Sequence, residues 1–139
     1  MNQLSTLRNR KSSITSHIQS NRSFVSSTEE KISRLQLALS ELSSSLSDIQ
    51  SVKSSINSLT TDVNRWRGNK EDKFQDKYDQ YKNSVKTYVA KVDDAKEMIS
   101  NDIQRYQAEK ASYMSSITNL QQSLNTLNWQ ITRVEKELS

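Results

Sequence analysis

Apolar residues recur along this chain at alternating steps of three and four, and the pattern breaks once, around the only glycine, Gly68, in a sequence with no proline. Steps of this kind mark one face of a helix, and a narrow stripe sustained over many turns marks a helix packed along a seam against another. The first run reads Leu4, Leu7, Ile14, Ile18, Val25, Ile32, Leu35, Leu39, Leu42, Leu46, Ile49, Val52, Ile56, Leu59, Val63 and Trp66, with Lys11, Asn21 and Thr28 at the remaining seam positions. The second begins at Phe74, Tyr78, Tyr81, Val85, Tyr88 and Val92. It continues through Ala95, Ile99, Ile103, Tyr106, Tyr113, Ile117, Leu120, Leu124, Leu127, Ile131, Val134 and Leu138, with Lys110 as its one polar seam residue. A double three-step at Leu46, Ile49 and Val52 and a double four-step at Ala95, Ile99 and Ile103 are local departures from the heptad in opposite senses.

The two runs match in length, so the sequence predicts an all-α fold in which the chain turns back on itself. Arm one spans about residues 3–67, the bend residues 68–69 and arm two about residues 70–138, forming one antiparallel, coiled-coil-like hairpin domain. Arg65 and Arg67 suit a helix C-terminus, Gly68 suits the left-handed residue after it, and Asn69 with Glu71 and Asp72 suits the start of the next helix. Each arm would be about 90 Å long at the helical rise per residue. A residue of arm one then lies beside the residue of arm two whose number brings their sum to about 141. Ser27 and Glu30 fit a capping box, but the seam spacing runs straight through them, which favours a continuous helix. The first 25 or so residues carry the most polar seam, so this end is expected to be the least stable.

Serine is so abundant before residue 60 that the first arm approaches low complexity, and only 32% of the chain is apolar. Disorder usually brings proline and glycine without periodicity, and here both features are reversed. The absence of cysteine removes disulfides, thiol nucleophiles and thiolate metal sites. The N-terminus has no apolar core of about 7–15 residues, so no Sec-type signal peptide is expected, and no run is long enough to insert stably in a membrane.

The net charge of +4 arises within residues 1–28, where Arg8, Arg10, Lys11 and Arg22 face no acid. A solvated helix face is the simpler account of these bases, and weak contact with an anionic surface is the alternative. The remainder is balanced and shows no basic stripe, so nucleic acid is not an expected partner.

Little supports catalysis. His17, the sole histidine, sits off the seam without a carboxylate at helical spacing, and Asp72, Asp76 and Asp79 are interleaved with lysines in a pattern of ion pairing. Asp93, Asp94 and Glu97 make at most a loose cation cluster, and no phosphate loop or nucleophile motif is present. No catalytic, cofactor or metal site is expected, and the chain reads as a non-enzyme. Two helices pressed along one seam leave much surface in water, which favours a partner. The large apolar residues off the seam are Phe24, Leu37, Val89, Met98, Met114 and Trp129. Of these, Phe24, Leu37, Met114 and Trp129 are the expected partner contacts, with exposed Trp the strongest anchor type.

Trp66, Arg67 and Gly68 in the bend, with Phe74 beyond them, resemble the motif of the WXG (ESAT-6-like) proteins of type VII secretion. Over essentially its whole length the chain is more similar to the YwqH-like helical proteins, on the Ser/Leu-rich first arm, "WRGNKEDKF" in the middle and "SYMSSITNLQQSLNTLNWQI" near the end. The resemblance implies a protein of Gram-positive bacteria that pairs with the helical N-terminal domain of an LXG-type toxin, as adaptor or chaperone. It also implies a bend displayed to another protein, and leaves room for a second small helical partner or for homo-oligomers. The implied location is cytoplasmic before export by a type VII system. The arms exceed those of typical WXG proteins, which suits the toxin-partner group. That system's export signal, Tyr followed four residues later by an acid, is missing: Tyr78, Tyr81, Tyr88, Tyr106 and Tyr113 precede Lys82, Val85, Val92, Lys110 and Ile117 at that distance. Export would then rely on the partner's signal. The alternative function is a cytoplasmic, self-associating coiled-coil scaffold unrelated to secretion.

Overall fold

The structure is a computed structural model that describes residues 2–63 and 69–139, without the side chains of residues 56–63 and 69–74. The described residues form two helices, α1 (Asn2–Val63) and α2 (Asn69–Leu138), packed on each other as a helical hairpin. The predicted bend at Trp66, Arg67 and Gly68 lies outside the described residues. Helix α1 runs unbroken past Ser27, and the Thr28 hydroxyl donates to the Phe24 carbonyl at 2.7 Å, a bond made within a continuing helix.

That hydroxyl bond is one instance of how a serine- and threonine-rich chain sustains long helices. Thr6, Thr15, Ser51, Ser55, Thr118, Thr126 and Thr132 each donate to the carbonyl one turn earlier, at 2.8–3.3 Å. The side chains that most readily compete with helical backbone bonding are thereby satisfied on the helix itself. At the end of α2, Lys136 occupies the last turn, where a cation complements the helix dipole.

The chain divides into two compact units, one of residues 1–33 with 104–139 and one of residues 34–103. In the first, Leu7, Leu127, Ile131 and Val134 form a buried cluster with Leu4 and Ile14 packed against it, and Ile18 is 5% exposed. The polar start of the seam therefore still contributes core residues. Thr28 is buried and Asn21 half-buried, as the spacing predicts, whereas Lys11 extends into solvent.

Cross-helix pairs in this unit follow the predicted register to within about a helical turn. Asn21 Nδ2 donates to Ser116 Oγ at 3.1 Å, Phe24 stacks on Tyr113, and Lys110 Nζ lies 3.2 Å from Glu29 Oε1. Arg8 Nη2 donates to Glu135 Oε1 at 3.0 Å nearer the chain ends. Lys31 approaches the face of Tyr106 at 5.4 Å from the ring centroid.

In the second unit Val92 and Ile103 are buried, and Leu35, Leu39, Leu42, Leu46 and Ile49 are half-buried. Here the seam departs from the prediction. Val52, Tyr81 and Tyr88 are exposed, and Val89, expected off the seam, is half-buried instead of Tyr88. At about 100° per residue, positions 88 and 89 lie on opposite flanks of a seam running from Val85 to Val92. The compact aliphatic side chain takes the covered flank, and the tyrosine keeps its hydroxyl in water. Among the interleaved aspartates and lysines that precede it, Asp79 accepts a hydrogen bond from Gln75 Nε2 at 3.1 Å.

Candidate partner-binding surface

Long paired helices without an intervening layer bury their side chains incompletely. Among the described residues no large side chain is fully buried, and no buried side-chain polar atom lacks a hydrogen-bond partner. Large apolar groups remain in solvent off the seam: Phe24 is 50% exposed, Met114 51%, Leu37 and Trp129 62% and Met98 67%. All four expected partner contacts are therefore accessible.

They are accessible in different ways. The Phe24 ring stacks on Tyr113 with centroids 5.2 Å apart and planes 23° from parallel, so one face is already covered. Met114 follows Tyr113 in α2, at the same level of the first unit. Leu37 belongs to the second unit. Trp129 lies farther towards the chain ends, with the Arg133 guanidinium carbon 5.5 Å from its ring centroid, an exposed cation–π contact.

Trp129 stands on the rim of a shallow groove in the first unit. One stretch, about 620 Å³ in volume, is bordered by Thr6 and Leu7 of α1 and by Trp129, Arg133 and Val134 of α2. A second stretch, about 530 Å³, passes Ile14, Ser123, Thr126 and Leu127. Arg10 and Gln130 line both stretches, so the two form one trough along this face. Sequence reasoning singled out Trp129 as a partner contact, named Arg10 only among the N-terminal bases that could meet an anionic surface, and did not name Gln130. A polar residue off the seam has no signature of its own until the opposing helix supplies the other wall.

Other expected site residues fall elsewhere. Trp66, Arg67 and Gly68 lie outside the described residues, and so does the side chain of Phe74, although its backbone belongs to α2. His17 is exposed. Among the described residues no group of three or more histidine, aspartate or glutamate side chains is arranged to hold a metal ion, and no helix is long and apolar enough to cross a membrane.

These features define a helical-hairpin protein whose distinctive surface is an open, partly apolar face. More particularly, the YwqH-like family model matches residues 9–129, most of both helices, and the chain belongs to the YwqH-like family. No curated protein and no solved structure matches the chain.

Proposed function

We propose that this chain is a non-enzymatic helical adaptor that binds the N-terminal helical domain of an LXG-type toxin and accompanies it to a type VII secretion system. Family membership supports the reading, because the WXG and LXG proteins are the general context of the YwqH-like group. The observation that carries it is Trp129, an aromatic side chain 62% exposed beside a groove between the two helices. Covering so large a ring with a partner helix removes apolar surface from water and so favours association. The mechanism is side-by-side helix packing: the toxin's helices extend the hairpin into a larger bundle and bury the surface that a single seam leaves wet.

Co-expression with a tagged LXG-type N-terminal domain tests the proposal. A stable complex recovered by affinity and size-exclusion chromatography, and weakened by Trp129→Ala, supports it. If the chain elutes only with itself, the self-associating scaffold replaces the adaptor.

A further inference from the structure

The groove beside Trp129 has a length, a floor and a charge that together specify its occupant. Its α1 wall begins at Asn2 and reaches Ile14, which spans about 18 Å, or a little over three turns, at the helical rise per residue. Leu7, Ile14, Leu127 and Val134 form its floor, already largely covered by the packing of the hairpin, and Trp129 on its rim offers the large exposed apolar surface. A trough parallel to two helices, lined by side chains and offering no free backbone edge, suits a third helix and not an added strand.

The charge balance is one-sided. Glu135 is engaged by Arg8 at 3.0 Å, and Glu137, at one end of the groove, lies 3.6 Å from Arg133 in the same helix. Arg10, which lines both stretches and so lies midway along the trough, makes no ion pair among the described residues. No acid occurs anywhere in residues 1–28. An occupant that brought a cation to this level would meet uncompensated like charge, and one that brought a carboxylate would complete a charge-assisted, two-pronged pair with the guanidinium.

We infer that the groove seats an amphipathic helix of a partner protein, with apolar residues facing Leu7, Leu127 and Trp129 and a carboxylate at the level of Arg10. A second copy of this chain fits less well. In a two-fold contact the same patch meets itself, which would bring the central Arg10 of each copy towards the other. The inference rests on the adaptor reading for the kind of protein that supplies the helix, and adds the charge and position of the contact.

Two synthetic amphipathic helical peptides test it. They share one leucine and alanine stripe and differ only in carrying Glu or Lys beside that stripe. Binding is read from tryptophan emission in a Trp66→Phe variant, where Trp129 is the sole reporter, with helicity checked by circular dichroism. The Glu peptide should bind at least about tenfold more tightly than the Lys peptide, and Arg10→Glu should invert the preference. Equal binding, no binding of either peptide, or a preference unchanged in Arg10→Glu overturns the inference. So does binding to phosphatidylserine vesicles without a response to the Glu peptide, which would assign the basic face to lipid. Repeating the toxin-domain co-purification with Arg10→Glu separates the two proposals. Undiminished recovery of the complex refutes the groove and keeps the adaptor. Selective Glu-peptide binding without any complex refutes the adaptor and keeps the groove.

Discussion

Phe24 of α1 and Tyr113 of α2 stack ring on ring across the hairpin, with centroids 5.2 Å apart, about one turn from the hydrogen bond between Asn21 and Ser116. The contact joins a residue outside the apolar repeat to one within it, and it splits the duty of Phe24 between internal packing and any partner. Double-mutant cycles on Phe24→Ala and Tyr113→Ala should give a coupling of about 0.5–1.5 kcal/mol in urea unfolding. Additive effects would show that the stack contributes nothing to stability.

Trp129 should behave differently, because its contact is an exposed one with Arg133 of its own helix. Trp129→Ala is expected to change unfolding free energy by less than about 0.5 kcal/mol while weakening the toxin-domain complex by about 2 kcal/mol or more. Calorimetric titration of wild type and variant checks this. Equal affinities would remove Trp129 from the interface.

Asn21 places an amide on the seam and bonds Ser116 at 3.1 Å. A polar seam residue costs stability and selects one register. Asn21→Leu should therefore raise unfolding free energy by about 1 kcal/mol and broaden the distance distribution between spin labels at Gln19 and Asn119. A distribution as narrow as that of the wild type would show that register is set elsewhere.

Lys110 lies on the seam with its side chain 34% exposed, paired with Glu29 at 3.2 Å. A pair this open to water is worth at most about 1 kcal/mol. Lys110→Met should leave thermal stability equal or slightly higher and remove part of its salt dependence. Marked destabilisation at high salt would indicate that the lysine stem packs in a way methionine cannot reproduce.

Leu127 and Leu37 compare the same residue type on and off the seam. Leu127, 5% exposed within the terminal cluster, should cost about 2–3 kcal/mol on change to Ala, and Leu37, 62% exposed, less than about 0.5 kcal/mol. Chemical denaturation monitored by circular dichroism distinguishes them, and similar losses would contradict the seam assignment.

The fold was legible because one spacing recurs through both arms. Leu7, Ile18, Thr28, Ile32, Val92, Ile103, Leu127, Ile131 and Val134 are buried and lie on the predicted stripe, while Phe24, Leu37, Met98, Met114 and Trp129 lie off it and are exposed. Of the four expected partner contacts only Trp129 lines the candidate groove; Phe24, Leu37 and Met114 do not. Trp129 stands out by residue type, but Arg10 and Gln130 are ordinary polar residues whose shared place along the groove depends on the opposite helix.

The sequence by itself determined the helical fold and the side of each helix that turns inward, because helical rotation per residue is a property of the backbone and needs no partner. Tertiary structure alone decided the rest. Whether Tyr88 or Val89 is covered, that Lys110 finds Glu29, that Phe24 rests on Tyr113 and that Arg10 lines a trough with Gln130 all follow from the rotation and register of one helix against the other. Those two variables are set by the summed fit of many side chains from both helices, so no single stretch of either arm encodes them.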